Sequence, residues 1–449
     1  MSISDLAIVA ALIFGWGTLS ARLERLELTA PIMFVLAGLV LTHGPLAVLG
    51  ITPAHEVVKV LAEATLVLVL FSDASRVGLR DLRSDMGLCV RLLGIGLPLT
   101  IGLGTLLAWA LFGGMNIWLA LLIGAALAPT DAALGAGIMT NPAVPARIRR
   151  LLNVESGLND GIATPFVLIA IAGAGTAAHE AGIGPGKALA ELALGVGIGV
   201  AVGGAGGWLI RWARRRGWAA ESFAGPAVLG LAVCAYASAV ALHGNGFIAA
   251  FVGGLAFGAV AGRRGEPLVP FVEESGALVS LLVWLAFGAV AVVPAFKVLS
   301  WQLVAYAVLS LTVIRMVPVA IALTGARLGR VTVAFVGWSG PRGLASVVFA
   351  LLALEDLGGK AAGTAVAVIT FTVLLSVLAH GASAEPLARH YGPLLTSGLD
   401  DRAGAPEIPP RRLIRRAREP GAEPAASGEP KSIDNDTEPG RRTRSPDAR

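Results

Sequence analysis

The sequence predicts an all-α membrane protein of about thirteen transmembrane helices, built as two inverted six-helix repeats with crossing broken helices in spans 5 and 12. Three observations carry this. Apolar runs near the ~20 residues needed to cross a bilayer follow one another almost without pause up to about residue 390. Basic residues alternate between successive connections. Finally, the fifth and twelfth spans are interrupted by proline and glycine at corresponding places in the two halves, and their opposite starting sides make the repeat inverted.

Composition narrows the class further. The 449 residues are 55% hydrophobic and only 14% charged, and their mean hydropathy is +0.75, which excludes a string of soluble domains. The net charge of +5 does not call for nucleic acid, because the arginines sit in short connections and a tail, where membrane topology accounts for them. Cys89 and Cys234 both lie in apolar runs, so no disulfide framework is indicated. The six histidines lack metal-ligand spacing, and neither a nucleophile–base grouping nor a phosphate loop is evident. A transporter without cofactor is expected, not an enzyme.

In chain order, spans are expected near 4–21, 30–49, 57–76, 87–113, 116–140, 149–174, 187–210, 223–242, 245–261, 275–297, 300–325, 331–354 and 361–385. The first lacks a basic leader and runs into a charged loop, so it reads as a span and not as a cleaved signal. Seventeen arginines, from Arg22 to Arg389, follow odd-numbered spans; only Lys59, Lys187, Lys297 and Lys360 follow even-numbered ones. This alternation predicts an N-terminus outside and a C-terminus in the cytoplasm, in a multi-pass protein of the cell's inner membrane.

Three features between and within the spans stand out. Gly195, Gly199, Gly203 and Gly207 in the seventh span, and Gly254, Gly258 and Gly262 in the ninth, recur every four residues. Such faces allow close helix approach, either inside the monomer or between subunits. Val77–Arg83 is a short charged connector. Beyond Gly392 the composition turns to Pro, Gly, Glu, Asp, Ser and Arg, which predicts a disordered cytoplasmic tail over 391–449. Within the tail, the basic run Arg411–Arg418 is either solvated or laid on anionic lipid headgroups.

The polar residues inside the spans point to an ion path. Pro129, in Ala128-Pro129-Thr130-Asp131, cannot donate a backbone bond and disfavours helix before it, so the fifth span breaks there. Asp131 is expected among the carbonyls this frees. Gly337-Trp338-Ser339-Gly340-Pro341-Arg342-Gly343 breaks the twelfth span in the same way. Asp160 lies on the sixth span with Ser156 one turn earlier on the same face. Carboxylate, hydroxyl and carbonyl oxygens are hard ligands for a small cation. Glu155 faces about 100° away from Ser156 and is the candidate partner of Arg315, a charge deep in the eleventh span. Arg342 either offsets partial charges at the crossing or pairs with another carboxylate. Asp73, near the end of the third span, is either an ordinary solvated helix end or lines an ion pathway.

Together, Ala128-Pro129-Thr130-Asp131, Glu155-Ser156-Gly157-Leu158-Asn159-Asp160-Gly161 and Gly337–Gly343 resemble the sodium/proton exchangers of the cation:proton antiporter-1 family, NhaP-like branch. Leu70-Phe71-Ser72-Asp73-Ala74-Ser75 matches more loosely, since many members carry a glutamate there. The resemblance covers residues 1–390. It implies a homodimer whose ion-transporting core comprises about 87–174 and 300–385 and whose dimerisation domain comprises about 4–76 and 187–297. It further implies that Asp160 binds Na+ (or K+ or Li+) or a proton, aided by Asp131, Ser156 and a carbonyl near Thr130. Asn159 stands where electrogenic relatives carry a second aspartate, and Glu155 with Arg315 would hold two spans together. The implied activity is electroneutral 1:1 cation/proton antiport by alternating access. K+/H+ exchange at the same site and a cation channel using the same carboxylates are the alternatives, and a regulatory module acting through its tail is a third.

Overall fold

The structure, a computed structural model, describes residues 3–24, 28–43, 55–76, 82–139, 141, 143–175, 185–262 and 268–396. The connector over 77–81, Arg25, Arg263, Arg264 and the tail beyond 396, with its basic run, lie outside the described residues.

Every expected span contains helix. The first three are α1 (Ile3–Glu24), α2 (Ala30–His43) and α3 (His55–Arg76). The fourth comprises α4 (Leu82–Arg91) and α5 (Leu97–Leu111), joined by a π-helical turn at Leu92–Gly96. The fifth comprises α6 (Ile117–Ala126) and the single turn α7 (Ala136–Met139), and the sixth is α8 (Ala146–Ala174). There follow α9 (Pro185–Arg215), α10 (Glu221–Ala241) and α11 (Gly246–Ala261). The tenth span is α12 (Val269–Val290) with α13 (Val292–Lys297), and the eleventh α14 (Trp301–Leu311) with α15 (Val313–Ala322). The twelfth is α16 (Arg330–Trp338) and α17 (Leu344–Leu357), and α18 (Gly359–Thr396) is the thirteenth.

Eight helices among the described residues are long and apolar enough to cross a membrane on those criteria alone. The expected count of about thirteen differs for physical reasons. The second and ninth spans are helices of only 14 and 16 residues. The fifth and twelfth are split, and α3 carries Glu56, Lys59, Glu63, Asp73 and Arg76. The eleventh is interrupted at Thr312, whose hydroxyl turns back to the Val308 carbonyl at 2.7 Å.

The packing falls into two sets. In one, α9 lies against α10 and α11, α11 against α3, and α12 against α2 and α3. In the other, α5 packs on α6, α6 on α8, α15 on α16, and α18 on α13, α14 and α17. Between the sets, α3 and α11 touch α8, and α3 and α12 touch α17. A Lys59–Asp356 ion pair of 2.7 Å ties α3 to α17.

The glycine faces are seams inside the monomer. A Cβ at Gly199 or Gly203 would collide with the backbone of α11 at Ala249 and Gly253. One at Gly254 or Gly258 would strike the carbonyl of Phe71 or Ser75 on α3. The two faces therefore stack α9, α11 and α3 backbone to backbone.

Candidate functional site

The site grows out of the two breaks. α6 ends before Pro129, which leaves carbonyls without intrahelical partners. Side chains of the twelfth span supply them. Ser346 donates its hydroxyl to the Ala126 carbonyl at 2.6 Å, and Arg342 Nη1 donates to those of Ala128 at 2.9 Å and Pro129 at 3.2 Å. Arg342 Nη2 reaches the Ser310 carbonyl, 3.4 Å away, beside the interruption of the eleventh span. The guanidinium is fully buried, and in this arrangement it serves carbonyls; of the two readings open to Arg342, the pairing with a carboxylate is not the one seen.

The fifth span answers in kind. Asp131 donates its backbone N–H to the Pro341 carbonyl at 2.8 Å. Its Oδ2 accepts the Leu344 N–H at the start of α17 at 3.0 Å, and its Oδ1 accepts that of Ala133 at 2.8 Å. Gly343 is glycine for a visible reason, since a Cβ there would overlap the Asp131 carboxyl. Asp131 was expected among freed carbonyls. Its carboxylate instead faces freed N–H groups, because a helix N-terminus attracts an anion and a C-terminus repels one.

α8 brings the next layer. Ser156 donates to the Thr130 carbonyl at 2.5 Å, and Asn159 Nδ2 donates to the Thr130 hydroxyl at 2.7 Å. Asp160 is buried, and its backbone carbonyl accepts the Thr164 hydroxyl at 2.7 Å. Its Oδ1, like the Oδ1 of Asn159, has no hydrogen-bond partner among the described residues. Asp73 and Asp131 are the charges that bear on it. The β-carbon of Asp73 faces Gly157, one turn before Asp160, so α3 carries a third carboxylate to the cluster. Asp73, Asp131 and Ala132 are partly exposed and Ala133 is exposed, although all sit against the buried crossing.

On the other face of α8, Glu155 meets Arg315, with Nη2 2.6 Å from Oε1 and 2.9 Å from Oε2. Both side chains are essentially dry, at 2% and 3% exposure. The structure thus gathers Thr130, Asp131, Ser156, Asn159, Asp160 and Asp73 at one place, and sets the Glu155–Arg315 pair and Arg342 behind it.

Four residues at the crossing escaped the sequence reading. Ser346 donates its hydroxyl to a freed carbonyl and Ser310 offers Arg342 its backbone carbonyl, and neither a serine in an apolar span nor a main-chain oxygen carries a distinctive signal. Ser376 accepts the Arg342 N–H at 2.7 Å. His380, in the apolar stretch of α18, bonds both Ser376 and the Trp338 carbonyl. An ionisable side chain within a span was the available signal for it.

Chemically, the cluster offers carboxylate, hydroxyl, amide and carbonyl oxygens and no sulfur or imidazole ligand. Among the described residues no group of His, Cys, Asp and Glu has the geometry of a multidentate metal centre. Such a donor set suits a hard monovalent cation or a proton.

Comparison with known proteins agrees with this chemistry. The family profile described as sodium/hydrogen exchanger, transmembrane, matches residues 8–390. The chain is 39% identical over 69 residues to Na(+)/H(+) antiporter 2 of Zygosaccharomyces rouxii, covering 15% of this chain and 8% of that protein. It is 29% identical over 177 residues to an uncharacterized Na(+)/H(+) exchanger of Mycobacterium tuberculosis, covering 38% of this chain and 30% of that one. The chain therefore spans less than a third of the length of these relatives. In fold it is similar to the sodium proton antiporter MjNhaP1 from Methanocaldococcus jannaschii. The TM-score is 0.72 at 18% identity, over 87% of this chain and 99% of that one.

Proposed function

This chain belongs to the sodium/hydrogen exchanger family, and from that membership we propose that it exchanges a monovalent cation, Na+ first, for a proton. The observation that carries the proposal is the buried Asp160 carboxyl, with one oxygen unpartnered, beside Thr130, Ser156 and Asn159. A deprotonated Asp160 holds one cation, helped by Asp131, Ser156 and the Thr130 carbonyl, or one proton neutralises it. Either form lowers the cost of carrying the site through low dielectric, whereas the bare anion stays put. Coupled exchange follows without any further device.

The moving body is the set containing α5, α6, α8 and α14–α18, and the set containing α2, α3 and α9–α12 is the scaffold on which two copies dimerise within the lipid. Asp73 extends the carboxylate path toward the partly exposed side. Glu155 and Arg315 hold α8 to α15 and take no part in transport. Asn159 cannot titrate, so one cation leaves for one proton and no net charge moves. The N-terminus faces outward and the C-terminus the cytoplasm, a reading that the arginine distribution supports.

The test is the full chain in liposomes with a trapped pH dye. External Na+ drives proton movement that is insensitive to an imposed voltage, and the Na+ concentration for half-maximal rate rises as pH falls, because the two ions compete. Movement driven by K+ and not by Na+ moves the proposal to the other cation. No movement with either ion across the pH range overturns it, and currents far above alternating-access rates favour a channel.

A further inference from the structure

We propose that His380 is a positioning residue for the cation site: it clamps the non-helical segment of the twelfth span to α18. The inference rests on the exchange reading above only for its transport arm.

The segment between α16 and α17 has two ends to fix. At the first, Trp338 ends its helix and its carbonyl accepts the Gly340 N–H at 2.7 Å within the break, and His380 Nε2 lies 3.0 Å from the same oxygen. At the second, the Arg342 backbone N–H donates to Ser376 Oγ at 2.7 Å. His380 Nδ1 lies 3.1 Å from that same Ser376 oxygen, one helical turn away on α18. The imidazole thus bridges both ends of the break. With a neutral ring protonated at Nε2, one arrangement serves the contacts that reach the break, although Nδ1 also lies 3.0 Å from the Ser376 backbone carbonyl, to which it then donates nothing. Nε2–H donates to Trp338, Nδ1 accepts the Ser376 hydroxyl proton, and the Ser376 oxygen accepts from Arg342.

The ring itself is held. It is 4% exposed and stacks on the Trp338 indole with centroids 5.1 Å apart, while the indole N–H donates to Ser383 at 3.0 Å. α18 therefore grips the break at Trp338 and at Arg342. What it grips is the segment whose other bonds build the site. The Arg342 guanidinium holds the Ala128 and Pro129 carbonyls next to Thr130, and Leu344 N–H holds Asp131. Letting go of the Trp338 carbonyl loosens Thr130 and Asp131 together, with no change to a ligand.

The experiment compares His380→Gln, His380→Asn and Ser376→Ala in the full-length protein. Gln places an amide N–H where Nε2–H stood, whereas Asn reaches only to the Nδ1 position. Two readouts are taken: hydrogen–deuterium exchange of the peptide covering 338–344, and the Na+ dependence of proton movement in liposomes. Expected is faster amide exchange at 338–344 in His380→Asn and Ser376→Ala. With it comes a several-fold rise in the Na+ concentration for half-maximal rate, at an unchanged unfolding midpoint, while His380→Gln stays within about twofold of wild type. Wild-type amide exchange in His380→Asn, or His380→Gln as impaired as His380→Asn, overturns the clamp. A wild-type protein that moves no protons overturns the exchange reading alone, because the amide readout needs no transport.

Discussion

Two regions of this molecule bring helix backbones into contact, by opposite means. In the seam of α3, α9 and α11 the helices are continuous, their backbone bonds are internal, and glycines remove the side chains that would hold them apart. At the crossing of the fifth and twelfth spans the helices are broken, and each span supplies the side chains that satisfy the other's freed groups. Ser346 and Arg342 go one way, Asp131 the other. A glycine seam leaves nothing polar to bind and nothing to rearrange. The crossing keeps hydroxyls, carbonyls and carboxylates at a depth where they are costly, and that cost is tolerable only because nearly all of them are paired. Among the buried side-chain atoms left without a partner there, Asp160 Oδ1 and Asn159 Oδ1 lie at the proposed cation site, and Ser310 Oγ, Arg315 Nε and Arg342 Nε are the others.

Breaking either region should therefore show in different quantities. Asp160→Asn gives the largest effect: exchange in liposomes falls to background while the unfolding midpoint stays at the wild-type value. Retained Na+-dependent proton movement would remove Asp160 from the site. Arg315→Ala comes next, costing about 3–5 kcal/mol of stability because Glu155 is left as an unpaired buried charge. Chemical unfolding in detergent measures it, and Glu155→Gln combined with Arg315→Ala should recover part of the loss. Gly203→Leu forces a side chain onto the Gly253 backbone and costs about 1–3 kcal/mol, with the Na+ dependence of whatever protein folds unchanged. A changed Na+ dependence would mean that the seam is not passive. Smallest is Lys59→Ala. Its pair with Asp356 is about 40% exposed (42% and 36%) and is worth under about 1 kcal/mol, within the noise of a thermal shift.

The same contrast explains what could be read from the sequence. Pro129 and Gly340-Pro341 announce both breaks, because proline removes a donor wherever it lies. The four-residue glycine spacing announces a seam, but its partner depends on helices far away in the chain, so spacing alone left monomer and dimer equally open. The side chain at each break was legible as a type and not as a direction. Asp131 and Arg342 were visible as charges, yet which freed groups each would face depends on how two distant spans cross. The interruption at Thr312 carries no proline or glycine and could not be seen. His380 is visible as a lone ionisable residue within an apolar run, but its partners lie at the break of a different span, which spacing within its own helix does not reveal.

The Asn159 side chain has a consequence for energy conversion. Its amide is engaged by the Thr130 hydroxyl, and no carboxylate stands in that place to take a second proton. On the proposed 1:1 exchange, the membrane voltage does no work on the cycle. The cation gradient such a cycle can sustain equals the proton gradient, about tenfold or about 1.4 kcal/mol for each pH unit across the membrane. With equal pH on both sides it comes to rest at equal cation concentrations, whatever the voltage.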